Sequence, residues 1–156
     1  MADILSPSTA LSTVLEVRER LHQALVGLEA ALAEPAAGRT APWAAGVRER
    51  LRAIIDVFAE HVTATEGPGG LYDDIGERAP RLSRRVAALR EEHGDIADAI
   101  ADVQAALAAG PGIDDDGLAE QVRRAALRLL GLLTRHRQRG ADLTYQAYHS
   151  DIGGAG

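Results

Sequence analysis

Between residues 82 and 107 the apolar residues Leu82, Val86, Leu89, Ile96, Ile100, Val103 and Leu107 fall on one line, separated by alternating steps of four and three. His93 completes the line midway between Leu89 and Ile96. Such spacing puts every member on one stripe of an α-helix and buries that stripe against other helices. A strand would need alternation at every second residue, which this segment lacks. Ala79-Pro80 marks the start of this helix and Gly110-Pro111-Gly112 its stop.

Three further segments show the same period. Ser6-Pro7 and Ser8 begin a first helix, with Pro tolerated in the first turn. Leu11, Val14, Leu15, Leu21, Leu25, Leu28 and Leu32 form its stripe, and His22 lies at the margin. After the break Glu34-Pro35-Ala36-Ala37-Gly38-Arg39, a second helix starts at Thr40 or Ala41-Pro42. Its seam is Val47, Leu51, Ile54, Phe58 and His61, and Gly67-Pro68-Gly69-Gly70 ends it. Leu71-Tyr72-Asp73-Asp74-Ile75 is expected to fold across one end of the bundle. A fourth helix, capped by Asp114, Asp115 and Asp116, carries Leu118, Val122, Ala125, Leu129, Leu132 and His136, and continues to Leu143 and Ala147 if Gly140 does not stop it. Four such helices joined by moderate loops predict an all-α, antiparallel up-and-down four-helix bundle. A chain of 156 residues suits one domain, 1–156, with short tails at 1–7 and 150–156.

Composition narrows the chemistry. There is no cysteine, so disulfides, iron–sulfur clusters and zinc–thiolate sites are excluded, and histidine and carboxylate remain as metal ligands. There is no lysine, so no Schiff base can form on one. A net charge of −6 disfavours nucleic acid as a partner. Neither a secretory segment nor an apolar run of transmembrane length is visible, so a membrane is not an expected partner and a cytoplasmic location is the default.

Four of the five histidines, His22, His61, His93 and His136, fall one per helix on or beside a seam. His93 lies 17 residues before Gly110 and His136 lies 20 after Asp116, so at ~1.5 Å per residue their heights differ by only about 5 Å. Buried imidazoles without partners are costly, and one shared cation would serve several at once. A lone inward histidine is more often a satisfied core residue; four at compatible heights favour a metal site.

The arrangement resembles the hemerythrin family, also called the HHE cation-binding domain, over the span from His22 to about Tyr148. The resemblance implies a four-helix bundle holding non-haem iron, as a rule two ions. His22 matches the histidine of the family's first helix and His61 that of the second. His93 and His136 match the second histidine of the third helix and the histidine of the fourth. The family's other third-helix histidine is replaced by Leu89. Its second-helix carboxylate falls at Thr65, with Glu66 one place later, and its fourth-helix carboxylate at Ala141, with Asp142 one place later. In a straight helix Glu66 would point ~140° from His61 and Asp142 about 120° from His136. A π-bulge near Gly140, or termination of the second helix near Glu66, would restore both registers. The ligand set so implied is His22, His61, Glu66, His93, His136 and Asp142, with Glu66 the bridging carboxylate. His149 lies too far along the chain to join them, and Glu91 and Glu92 read as exposed charges, Glu92 with a lateral approach to the metal.

The function implied is binding or sensing of dioxygen, or reaction with peroxide, at iron, with zinc, manganese and copper also admitted by these ligands. Two alternatives stand beside it: a diiron oxygenase or peroxidase acting on a small molecule, and a degenerate bundle with one metal or none.

Overall fold

The computed structural model describes residues 8–109 and 115–150. Its helices are α1 (Ser8–Ala33), α2 (Thr40–Glu66), the short α3 (Leu71–Arg78), α4 (Ser83–Ala108) and α5 (Asp115–Tyr145). A 3-10 turn, Pro80–Leu82, leads into α4, and a π-helical turn, Gln146–Ser150, extends α5. Among the described residues there is no strand, and no helix is long and apolar enough to cross a membrane. The long helices α1, α2, α4 and α5 form the antiparallel bundle, with α1 against α2 and α4 against α5 as the closest pairs.

The expected seam of α4 is buried at every one of its eight positions, His93 included. The α2 seam is likewise buried from Val47 to His61. In α1 the expectation fails at Leu15, which is 49% exposed. Val14 is buried as expected and Val17 takes the next inward place, because a three-residue step from Val14 keeps to the stripe and Leu15 falls one place off it. In α5 the buried line runs through Ala119, Val122, Ala126, Leu129, Leu133 and His136, so Ala125 and Leu132 lie half-buried beside it.

Helix ends are satisfied by specific donors and acceptors. Arg123 reaches from α5 to donate to the carbonyls of Leu32 at 3.2 Å and Glu34 at 3.0 Å, where α1 ends. Asp115 and Asp116 lie in the first turn of α5, where their charge complements the helix dipole. At the end of α2 the chain reverses through Gly67–Gly70. Gly69 has φ +72°, a region that favours glycine, and its N–H donates to Asp73 Oδ2 at 3.0 Å. The expected helix start at Ser6-Pro7, the stop at Gly110-Pro111-Gly112, the cap at Asp114, the tail at 1–7 and all of the tail at 150–156 except Ser150, which ends the π-helical turn, lie outside the described residues.

Two apolar clusters fill the interior. The larger takes Leu21 to Leu32 of α1, Trp43 to Phe58 of α2, Ile96 to Leu107 of α4 and Ala119 to Leu133 of α5. The smaller gathers Val14, the α3 residues Leu71, Tyr72 and Ile75, then Leu82, Val86, Leu89, Leu143 and Ala147. Chain order places one polar layer between them: Arg18 on α1, His61 on α2, His93 on α4 and His136 on α5.

Candidate metal centre

Each histidine of this layer continues an aliphatic seam, so the packing that buries the seam also carries the imidazole inward. His61, His93 and His136 are 3%, 5% and 4% exposed. His136 Nε2 lies 3.2 Å from His61 Nε2 and 3.1 Å from His93 Nε2, and one nitrogen from each ring falls within 4.8 Å of the others. The rings meet edge to face, with centroids 4.8–5.3 Å apart. Phe58 lies edge-on to His93 at 5.8 Å, and Tyr72 stacks on it at 6.0 Å.

Burial holds all three imidazoles neutral. His61 is pushed down to about 3, by burial foremost and then by His136, His93 and Arg18. Burial likewise lowers His93 and His136, against the opposing pull of Glu66 and Glu92. Neutral rings present lone pairs, and the proton positions test whether protein atoms alone can satisfy them. His136 Nδ1 donates to Glu92 Oε1 at 2.9 Å, which leaves its Nε2 as an acceptor. If His61 and His93 both donated from Nε2 to that one lone pair, their own Nδ1 atoms would be buried acceptors, and neither has a hydrogen-bond partner. If they carry the proton on Nδ1 instead, three Nε2 lone pairs face one another. Either way buried nitrogens are left unpaired, and a cation on the Nε2 side would satisfy all three Nε2 lone pairs at once. The geometry suits one: nitrogens ~2.0–2.1 Å from a common ion at ordinary coordination angles stand about 3.0–3.4 Å apart.

The outward nitrogens meet carboxylates. Burial alone would raise Glu92, but the hydrogen bonds from His136 and Arg139 outweigh it and hold its carboxyl below the ordinary range. Glu66 Oε2 stands 3.4 Å from His93 Nδ1, facing it without the alignment of a hydrogen bond, and Arg90 approaches its other oxygen at 3.8 Å. Carboxylates behind metal-binding imidazoles fix the tautomer and ring orientation.

A family model for the hemerythrin HHE cation-binding domain matches residues 20–139, a span that begins just before His22 and ends just after His136. The chain belongs to the hemerythrin HHE family. No curated protein and no solved structure matches it. Family membership supports metal binding, iron included, and the three buried histidines could hold the ion.

The structure does not bring the six expected residues of this hemerythrin-type bundle to one point. His61, His93 and His136 converge. His22 is half-buried and lines a neighbouring cavity from α1, outside the converging group. Glu66 is the last residue of α2, and the helix end turns its carboxylate toward the back of His93; it faces Nδ1 rather than the bridging position expected on the Nε2 side. Asp142 is exposed and accepts from Gln138 Nε2 at 3.1 Å, one turn earlier on the same helix. No π-bulge forms near Gly140: α5 runs on to Tyr145, and its π turn comes beyond Asp142, too late to change that residue's direction. Leu89 joins the smaller apolar cluster. Thr65 is buried, and its hydroxyl donates to the His61 carbonyl at 2.8 Å. His149 is exposed and stacks on Tyr145 at 5.2 Å. Glu92, expected as an exposed charge, is instead the His136 partner, with its side chain 17% exposed. Its only sequence signal was adjacency to His93.

A cavity of about 20 Å³ opens beside His61 and His136. Arg18, Leu21, His22 and Leu25 of α1, Tyr72 of α3, and Leu133, Arg137 and Gly140 of α5 complete its wall. That volume holds about one water-sized ligand.

Proposed function

We propose that His61, His93 and His136 hold a single metal ion, iron in keeping with the family, and that the cavity beside them admits dioxygen or peroxide. The observation that carries this reading is the convergence of three neutral Nε2 atoms at 3.1 and 3.2 Å, with the remaining nitrogens of two rings backed by Glu66 and Glu92. Iron bound there would supply redox chemistry toward the oxygen ligand. A second ion finds few ligands, since Leu89 and Thr65 stand where the family has a histidine and a carboxylate, and Asp142 faces solvent.

The protein's own contribution is to fix and shield. Glu92 holds the His136 ring in orientation through its hydrogen bond and Glu66 stands behind His93, while Phe58 and Tyr72 exclude water from the His93 side. Tyr72 keeps its proton, because burial pushes its phenol up to about 12. The cavity's volume favours a ligand of a few atoms over an organic substrate. The test is metal content per chain on anaerobically handled protein, with an optical spectrum before and after exposure to air. One iron per chain and an oxygen-dependent absorption change are expected. Protein from iron-replete cells that holds no iron, and whose melting temperature does not move when iron is added, would overturn the reading.

A further inference from the structure

The cavity wall contains two arginines, three histidines and a tyrosine, but no carboxylate. Arg18 is the unusual member. It occupies α1's place in the polar layer between the two apolar clusters, one turn before His22. Its Nη2 donates to Thr144 Oγ1 at 3.1 Å, and the Thr144 hydroxyl donates onward to the Gly140 carbonyl at 2.8 Å. Among the described residues no carboxylate pairs with it. Gly140 makes room for the guanidinium, because a Cβ there would stand 2.9 Å from Arg18 Nη2. Burial weakens the guanidinium's hold on its proton, and Arg137 adds to that effect against the opposing influence of Tyr72. Charge is also unbalanced at the histidines. Glu66 is shared with Arg90 and Glu92 with Arg139, so neither offsets Arg18 and a bound cation in full.

We propose that Arg18 makes this cavity a site for a small inorganic anion of one or two heavy atoms, a class that includes halides and deprotonated reduced oxygen species. The inference rests on the metal reading above and sharpens its ligand from neutral to anionic. The guanidinium has five donors and spends one on Thr144, which leaves others for a ligand seated beside His61 and His136. A charge-assisted hydrogen bond in a confined cavity is stronger than one to a neutral ligand. Thr144 and Gly140 fix the donor in advance, so little side-chain freedom is lost when the ligand arrives.

The test uses cobalt(II) as an optical probe in the full chain. Chloride and fluoride are titrated at constant ionic strength held with perchlorate, for wild type, Arg18→Gln, Arg18→Lys and Gly140→Ala. All four should take up cobalt, since none alters the three converging histidines, with Arg18→Gln at least as tight as wild type because a positive charge felt at His61 and His136 is gone. Arg18→Gln should weaken anion binding by about ten- to a hundredfold, and Arg18→Lys should recover part of the loss. Gly140→Ala should show a smaller loss together with an unchanged or higher melting temperature, because alanine favours helix while its methyl displaces the guanidinium. A chain that takes up no cobalt overturns the metal reading and this inference together. Cobalt bound normally with the same anion affinity in wild type and Arg18→Gln overturns the anion site alone.

Discussion

The end of α2 and the last turn of α5 pose the same problem and answer it differently. Each carries a carboxylate one place later than the family's register, Glu66 after His61 and Asp142 after His136. At Glu66 the helix stops. Gly67 is extended, at φ −66° and ψ 163°, and the side chain at the last helical position swings toward His93 on the neighbouring helix. At Asp142 the helix continues, so the carboxylate stays on the outer face and bonds to Gln138. The role left open behind His136 is taken from another element, by Glu92 of α4. A one-residue offset is thus absorbed where backbone regularity ends, and a neighbouring helix compensates where it does not.

The most damaging change should be His136→Ala. His136 is the ring whose Nε2 contacts both others, so its loss removes the common partner and separates the remaining pair. Stoichiometric metal binding should disappear, as judged by equilibrium dialysis against iron(II) or cobalt(II). Full occupancy in this variant would place the metal elsewhere and remove the reason for comparing the two carboxylates at all.

Acid should come next in size, acting on the metal-free protein. His61 has a folded value near 3 and an ordinary unfolded value near 6.5. Between those limits the unfolded chain binds a proton that the folded chain refuses, so stability is full above about pH 7 and falls as pH drops. This residue alone should cost about 1.4 kcal/mol for each pH unit below its unfolded value. His93 and His136 shift the same way, each opposed by its carboxylate, so they add to the slope. Urea melts at pH 7.5, 6 and 5 measure it. A His61→Leu variant should show a shallower slope, whereas an unchanged slope would mean that His61 is not held neutral.

Much of this arrangement was legible in the sequence, and the missing parts share a cause. The α4 seam was readable without error because its steps of three and four admit one inward face. The same rule carried His61, His93 and His136 to a common layer. Leu15 misled because two adjacent apolar residues, Val14 and Leu15, compete for one place on the stripe, and only packing against other helices decides between them. Glu92 and Arg18 were hidden for another reason. Each is a charged residue on a helix, which by itself reads as a solvent-facing position. Their partners, His136 and Thr144, lie on α5, so their roles depend on the axial offset between helices. Gly140 in the interior of a long helix was the available hint, since a missing Cβ there signals close approach by another group.

The two carboxylates that reach the histidines should differ in weight. Glu92→Gln removes the charged acceptor from a 2.9 Å hydrogen bond and should lower metal affinity about ten- to a hundredfold. Glu66→Gln acts through a longer, 3.4 Å approach at a more exposed side chain, so about a three- to tenfold loss is expected. Competition titrations against a chelator rank the pair. Equal losses would mean that the bound form pulls Glu66 closer, and that the helix end does more than the metal-free geometry indicates.

The smallest effect is expected at Asp142, and it is the one that decides the comparison. Asp142→Asn preserves the shape of the side chain and its position near Gln138 while removing the charge a cation would need. If α5 stays helical through Tyr145 when metal binds, the variant should match wild type in both affinity and stoichiometry. A loss comparable to that of Glu92→Gln would show that metal binding rewinds α5 near Gly140 and turns Asp142 inward. That outcome would restore the register the family uses and admit a second ion. The reading must be taken beside Glu92→Gln in the same buffer, because Glu92 and Asp142 line one surface cavity with Arg139 between α4 and α5. A loss arising only from altered charge in that cavity should vanish at high salt, whereas loss of a ligand should persist.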